Sequence, residues 1–381
     1  MAVSRRAFFR TLGIGGAGVL SSSFLTRHEL ELLAMGQASR GYDPAAIVIS
    51  SNENPRGPGD AALEALRGRV TPRVGRYADN IQELTASVAK LYGSKPEHVL
   101  LATGSSLELT AAARAYLSPG KGLVNGSPSY SSTDRVATDL KAPVKLVPVT
   151  KDLMLDLDAM AAAAKGAGLV FLCNPNNPTS TAHTASEVGD FIAKVKATSP
   201  GTAIHIDEAY IDYADMPQLP TAAPFALQYP DVFITRTFSK AYGMAGLRLG
   251  YAFGQPATLK KLDEAWGLGS VNTLTAAAAI ASLNDTAHMA AERKENARVR
   301  DFTLKAFKEM GYDAPKSHTN FVFVNIRRPA KVFRDECAKE KVFVARDFPP
   351  MEKTHCRISI GTWDEMQRAV QVFRRVLSTP A

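Results

Sequence analysis

The feature that most constrains this chain is a series of short, almost wholly apolar runs, each closed by a cluster of polar residues. Val99-Leu100-Leu101, Gly122-Leu123-Val124, Leu169-Val170-Phe171-Leu172, Ala203-Ile204-His205-Ile206 and Val232-Phe233-Ile234-Thr235 are too short for helices, and segments with helical character separate them. Only His205 interrupts the fourth run. Val144-Lys145-Leu146-Val147 reads as a further strand. Strands that are apolar at successive positions are buried on both faces. Their alternation with helices predicts a mostly parallel sheet sandwiched by helices, the α/β class.

Either side of this block the pattern differs. Before it, Ile47-Val48-Ile49 reads as a strand, broken by Asn52-Glu53-Asn54-Pro55. A short helix follows from Asp60, taken as its N-cap, to Arg67, and an amphipathic helix runs from Ile81 to Tyr92 with Ile81, Leu84, Val88 and Leu91 near helical spacing. After about Trp266 one long helical stretch is predicted from Thr273 to Met310. Then come an alternating strand at Asn320-Phe321-Val322-Phe323-Val324 and a last strand at Arg357-Ile358-Ser359-Ile360. This predicts a smaller α+β domain beside the large one.

The polar clusters at the strand ends carry the chemistry, because an open α/β sheet places its ligand there. Thr103-Gly104-Ser105-Ser106 turns from a strand into a helix, so backbone N–H groups, hydroxyls and a helix dipole converge where a phosphate could bind. Taken singly it is also an ordinary Gly-Ser turn. Asn174-Pro175-Asn176-Asn177-Pro178-Thr179 reads equally as a strand-ending turn, and Asp207-Glu208-Ala209-Tyr210 equally as a helix cap. Yet an Asp at a buried strand end needs a cationic partner to stay ionised. Thr237-Phe238-Ser239-Lys240-Ala241-Tyr242-Gly243 follows the next strand, with Gly246-Leu247-Arg248-Leu249-Gly250 after it. Phosphate donors, an amide, a carboxylate and an amine thus arrive in order at successive strand ends.

Those motifs, with Ser239-Lys240-Ala241-Tyr242-Gly243-Met244-Ala245-Gly246-Leu247-Arg248, resemble the class I/II aminotransferases of pyridoxal-phosphate fold type I. The nearest likeness is to the histidinol-phosphate aminotransferase branch, and it runs from Asn52 to Thr362. The resemblance implies pyridoxal 5'-phosphate as cofactor, with Lys240 holding it as a Schiff base and Asp207 pairing with its pyridinium nitrogen. It implies that Asn177 and Tyr210 bind the ring oxygen and that Tyr130 stacks on the ring. Ser105, Ser106, Ser239 and Arg248 would bind the phosphate. Tyr77 would reach the cofactor of a neighbouring subunit in a homodimer. Arg357 would take the substrate α-carboxylate, and Arg346 and Asn54 would border the substrate. Ser180 and Arg56 depart from the family pattern, where glycine and tyrosine or leucine are frequent.

The implied reaction moves an amino group from an amino-acid-like donor, histidinol phosphate or an aromatic amino acid, to a 2-oxo acid such as 2-oxoglutarate. A decarboxylase of phosphorylated amino acids is the alternative enzyme, and a non-catalytic cofactor-binding module the alternative of another class. A nicotinamide-dependent oxidoreductase is disfavoured, since no Gly-x-Gly-x-x-Gly follows the first mature strand. The domains read as 39–75, an arm contributing to the small domain; 76–270, the large cofactor-binding domain; and 271–381, the small domain.

Residues 1–38 read as an export signal. Ser4-Arg5-Arg6-Ala7-Phe8-Phe9 precedes an uncharged stretch from Thr11 to Thr26, too short and glycine-rich for a membrane span. The paired arginines resemble a twin-arginine signal, which implies a translocation partner and a periplasmic or exported enzyme. A basic N-terminal helix, and then a cytoplasmic enzyme, is the alternative. Gly36-Gln37-Ala38 and Ala34 both suit cleavage. Net charge is +8, but no Lys/Arg cluster is interleaved with aromatics, which argues against nucleic acid. Three cysteines without a Cys-x-x-Cys pair argue against a disulfide framework and a metal site.

Overall fold

In the computed structural model the described residues are 43, 45–216 and 220–378, so the segment read as an export signal lies outside them. By contacts the chain separates into Met1–Ala46 and Ile47–Ala381, and the second unit is the one described here. It holds a seven-stranded sheet built from β2 (Val99–Ala102), β3 (Leu123–Ser127), β4 (Val144–Pro148), β5 (Leu169–Cys173), β6 (Ala203–Asp207), β7 (Val232–Thr237) and β8 (Gly250–Gly254). The order is β2-β8-β7-β6-β5-β3-β4. Strands β4, β3, β5, β6 and β7 pair in parallel, whereas β8 is antiparallel to both β7 and β2.

The apolar runs are divided by the two-residue period of a strand between two cores. Val170, Leu172, Ile204, Ile206 and Ile234 enter one, packed against Leu84 and Val88 of the helix Ile81–Leu91 and Val188 and Ile192 of the helix Ala185–Thr198. Leu169, Phe171, Ala203 and Phe233 enter the other, against Leu109 and Tyr116 of the helix Ser106–Tyr116 and Leu262 of the helix Pro256–Ala265. Helices therefore cover both faces, which is why the strands are apolar at successive positions.

A third core surrounds two small sheets. In one, β1 (Ile47–Ile49) pairs in parallel with β10 (Val342–Val344); in the other, β9 (Phe321–Asn325) pairs antiparallel with β11 (His355–Ser359). Ile47, Ile49, Val322, Val324 and Ile358 pack there with Phe307, Phe333 and Phe373.

Four local expectations are corrected. The helix begins at Asp60 itself, and Gly59, in extended conformation, occupies the cap position. The stretch from Thr273 to Met310 is two helices, Thr273–Asn284 and Thr286–Glu309. They break at Asp285, whose carboxylate accepts the His288 N–H and starts the second helix. Strand β9 does not alternate: Phe321, Val322, Phe323 and Val324 are all buried, because Phe323 packs with Ala345 and Phe348 on the face away from the third core. Finally, β8 was not foreseen, since Gly-Tyr-Ala-Phe-Gly is bounded by the residue type that usually marks a loop.

Candidate active site

The register of the sheet brings the strand-end clusters together. Cys173, Asp207 and Thr235 are aligned neighbours on β5, β6 and β7. Strand β2 runs in the same sense as β7, being separated from it by the antiparallel β8, so its Thr103-Gly104-Ser105 turn opens on the same edge.

Lys240 projects its amine to the Ser51 carbonyl at 3.0 Å and lies 5.7 Å from the centre of the Tyr210 ring. Burial, followed by the positive charges of Arg357 and Arg248, brings this amine down to about 8. Asp207 is displaced the other way. Burial, with Glu208 adding to it, pushes its carboxyl up to about 7, against the donors Ala209 N at 3.2 Å and Thr235 Oγ1 at 3.4 Å. Among the described residues no cation pairs with it. An amine below its usual range and a carboxyl above its own, in one site, mark this edge of the sheet as a candidate functional site.

Tyr210 is buried, and its hydroxyl accepts Asn52 Nδ2 at 3.1 Å and Asn177 Nδ2 at 3.4 Å, which leaves its own proton for a third partner. Asn177 Oδ1 in turn accepts Arg357 Nη1 at 2.7 Å, while Arg357 Nη2 donates to Ser50 O at 2.7 Å. Arg357 is buried, its Nε has no partner, and among the described residues no carboxylate faces it. Burial brings it down to about 10. Its guanidinium lies 4.7 Å from the Phe348 ring centre, and that of Arg346 lies 4.6 Å from the same ring. Arg346 is held by the Asp347 carbonyl at 3.1 Å and likewise forms no ion pair among the described residues.

The turn after β2 is built to receive an anion. Gly104 has φ +92°, and a side chain there would strike the Arg248 guanidinium. Gly250, opening β8, is as tightly pressed on the Ser105 backbone. Arg248 itself adopts a left-handed backbone (φ 54°) and reaches Ser239 Oγ at 3.4 Å and Ala245 O at 2.9 Å. The helix from Ser106 starts here without a side-chain cap, beside the Gly104 that the Arg248 guanidinium approaches. A glycine at positive φ beside an arginine, an uncapped helix start, a buried carboxyl without an ion pair among the described residues and a neutralisable amine fit the phosphate, ring nitrogen and aldehyde of pyridoxal phosphate.

Tyr130 is half-buried, and its phenol is raised chiefly by burial, with Asp207 raising it further and Arg346 opposing, so it shares their surroundings. Asn54 is committed within the chain: Nδ2 donates to Ala241 O at 3.1 Å and Oδ1 accepts Arg56 N at 3.0 Å. Arg56 is spoken for too, its guanidinium forking onto Glu292 at 2.7 and 2.5 Å. Ser180 takes up the left-handed conformation (φ 64°) that the family's glycine would favour, so the turn is kept at a modest steric cost. Tyr77 is fully exposed and is not brought to the site within this chain. A cleft of about 620 Å³, lined by residues such as Lys151, Thr181, His318 and Met351, includes none of Lys240, Asp207, Tyr210 or Arg357.

Sequence reasoning assigned no role to four residues of this region. Asn52 orients Tyr210 and is itself held by Ser359 Oγ at 2.7 Å. His205 and Thr235 stand behind Asp207. Glu108 lies buried in the first turn of the helix after Thr103-Gly104-Ser105, with no partner for either oxygen among the described side chains. Only His205 left a signal, as the polar break in an apolar run.

A family model described as aminotransferase class I and II matches residues 45–373. A histidinol-phosphate aminotransferase 2 of Pseudomonas fluorescens is 35% identical over 339 residues, covering 88% of this chain and 90% of that protein. A histidinol-phosphate aminotransferase of Moorella thermoacetica is 33% identical over 336 residues, covering 87% and 86%. Among solved structures, histidinol-phosphate aminotransferase from Sinorhizobium meliloti in complex with pyridoxal-5'-phosphate superposes with a TM-score of 0.81 at 27% identity, covering 87% of this chain and 91% of that one.

Proposed function

This chain belongs to the class I and II aminotransferases, and from that membership we propose that its amino donor is histidinol phosphate and its acceptor a 2-oxo acid such as 2-oxoglutarate. Amino transfer with pyridoxal phosphate is the activity of the family, and the relatives favour it over the decarboxylase alternative. The cofactor supplies, when bound, an electron sink for the pair released as the substrate Cα–H bond breaks.

The chain's own residues divide the remaining work. Lys240 would hold the cofactor covalently through Nζ. Once the donor's own amine takes its place on the cofactor, the freed Lys240 amine, near 8, could take the proton from the substrate Cα and deliver it to the cofactor C4′ at neutral pH. Asp207 would accept the ring N–H, and the protonated ring would be the cation that its buried carboxyl needs. Asn177 and Tyr210 would donate to the ring oxygen, and Tyr130 would pack on the ring face. Ser105, Ser106, Ser239 and Arg248 would hold the phosphate. Asn54, braced between Ala241 and Arg56, would border the substrate. Arg346, free of any acidic partner among the described residues, would meet the donor's phosphate through charge-assisted hydrogen bonds. Arg56, forked onto Glu292, is left out of that role.

The observation that carries the reading is Arg357. A buried guanidinium bridging Asn177 and Ser50, with no carboxylate opposite among the described residues, is costly unless an anion arrives. The carboxylate of the 2-oxo acid is that anion. The test is a donor panel of histidinol phosphate, histidine and phenylalanine against 2-oxoglutarate, for wild type, Arg346→Ala and Arg357→Ala. Arg346→Ala should raise KM for histidinol phosphate far more than for the unphosphorylated donors, and Arg357→Ala should raise KM for 2-oxoglutarate. A wild type that prefers phenylalanine, with that preference untouched by Arg346→Ala, overturns the donor assignment.

Two further readings complete the proposal. Full exposure of Tyr77 suits a homodimer in which it completes the partner's phosphate site. The Arg5-Arg6 segment suits export of the folded enzyme by twin-arginine translocation.

A further inference from the structure

His205 is the one polar residue among the first four positions of β6, and the sheet register explains what it does there. It pairs with Phe171 on β5 and Phe233 on β7, and its imidazole stacks on Phe233 at 4.7 Å with Phe171 edge-on at 5.2 Å. Two residues on, Asp207 projects from the same face of the strand, opposite Thr235. His205 Nε2 lies 2.8 Å from Thr235 Oγ1, and Thr235 Oγ1 lies 3.4 Å from Asp207 Oδ1.

The direction of these contacts is set by what each group can do. An ionised carboxylate only accepts, so the Thr235 proton points at Asp207. The hydroxyl must then accept from His205, which fixes the imidazole as its Nε2–H tautomer. Nδ1 is accordingly bare, and it is buried without a partner. Burial also pushes this histidine down to about 3, so it is neutral.

We propose that His205 and Thr235 are positioning residues for amino transfer, forming an uncharged donor chain that aims the Asp207 carboxylate at the cofactor's ring nitrogen. The proposal rests on the pyridoxal-phosphate reading of the site. The chain's lack of charge is its point. A lysine or arginine behind Asp207 would neutralise the carboxylate and weaken its pull on the ring N–H. The neutral Thr235 donor, itself oriented by His205, favours the ionised carboxylate and limits its rotation, while its charge stays directed forward. Among the described residues, the other hydrogen-bond donor to Asp207 is the Ala209 N–H.

The experiment uses holoprotein loaded with cofactor carrying ¹⁵N at the ring nitrogen. Thr235→Val keeps the β-branched shape and removes the hydroxyl, Thr235→Ser keeps the hydroxyl, and His205→Phe keeps the stack on Phe233 and removes the donor. Wild type and Thr235→Ser should show the nitrogen resonance of a protonated ring. In Thr235→Val the resonance should move toward the unprotonated position, and kcat should fall roughly five- to tenfold, the worth of about one hydrogen bond, with KM unchanged. His205→Phe should move it the same way by less. Borohydride fixation and peptide mapping accompany each protein. If the label maps to Lys240 throughout, yet Thr235→Val keeps the wild-type resonance and kcat, the donor chain is refuted and the cofactor reading stands. If wild type itself fails to fix cofactor at Lys240, both fall. Should Thr235→Val not fold, His205→Phe decides alone: a wild-type resonance overturns the proposal, and a shifted one supports it.

Discussion

Lys240 and Asp207 are moved toward each other on the pH scale by one cause, burial, acting on groups of opposite charge. The sites differ in what relieves the burial. Lys240 has a carbonyl to donate to, whereas among the described residues Asp207 is held by neutral donors and forms no ion pair. Lys240→Ala should therefore still bind pyridoxal phosphate through Asp207 and the phosphate turn, but borohydride should fix none of it. Fixation of cofactor elsewhere on that variant would displace Lys240 from its assigned role. Asp207→Ala should lower kcat by roughly two to three powers of ten, the range for losing a preorganised electrostatic contact. Glu108 poses a different question, since nothing in the reaction uses it. Its carboxyl is pushed by burial from 4.5 up to about 8, and Asp207 adds to the shift. Between those values the folded protein keeps a proton that the unfolded chain has lost, so stability falls as pH rises and the loss is complete above about 8. Glu108→Gln has no proton to lose. Its Tm should match wild type near about pH 4 and exceed it increasingly up to about pH 8, by at most a few kcal/mol in stability. Parallel Tm curves across that range would show that Glu108 ionises freely.

At the scale of elements, a buried ion pair joins the N-terminal arm to the helix Thr286–Glu309, beside the apolar packing of Ile47 and Ile49 in one core with Phe307. Arg56 meets Glu292 in a fork, Tyr213 adds its hydroxyl at 3.3 Å, and the Glu292 side chain is 1% exposed. Removing one partner strands a buried charge, so Arg56→Ala should cost about 3 kcal/mol, while Arg56→Leu with Glu292→Leu should recover most of it. Equal losses in the single and double variants, by urea denaturation, would contradict this. The same pair shows what a sequence can and cannot reveal. Strands β5, β6 and β7 were legible because burial on both faces leaves an apolar run, and their polar ends stood out against it. Lys240, Asp207, Asn177 and Arg248 were legible because each sits in a compact local motif. The partnership of Arg56 with Glu292 was not, since 236 residues separate them and neither has a local pattern. The same holds for His205 with Thr235, which meet only through the register of two strands. The break at Asp285 was legible in principle, as Asn-Asp-Thr carries a cap signal, but the helical periodicity on either side outweighed it.

At the scale of the whole molecule, the exposed Tyr77 bears on how a complete site is assembled. Tyr77 lies fully exposed, with Val70 and Val74 also exposed on the same segment, and this aromatic has no structural role within its own chain among the described contacts. If Tyr77 completes the phosphate site of a partner, the two defects Tyr77→Ala and Lys240→Ala behave differently in mixed dimers than in pure ones. A pure Lys240→Ala dimer has no lysine at either site, and a pure Tyr77→Ala dimer lacks the tyrosine at both. In the mixed dimer, the site on the Lys240→Ala subunit loses both groups, because its tyrosine would come from the Tyr77→Ala partner. The other site keeps its own Lys240 and receives an intact tyrosine from the Lys240→Ala subunit. One site in two is thereby wild type. Were Tyr77 to act within its own chain, the mixed dimer would contain no such site. Co-expressing the two variants with different affinity tags, purifying the mixed species and titrating it with pyridoxal phosphate separates these cases. Half the sites should bind cofactor with wild-type affinity, fix it at Lys240 and support about half the wild-type kcat per dimer. A mixed dimer whose tightest sites bind no better than those of Tyr77→Ala would place the tyrosine in its own subunit or out of the reaction altogether. The comparison depends on one geometric fact, that the exposed Tyr77 cannot be counted among the residues this chain gathers around its own Lys240.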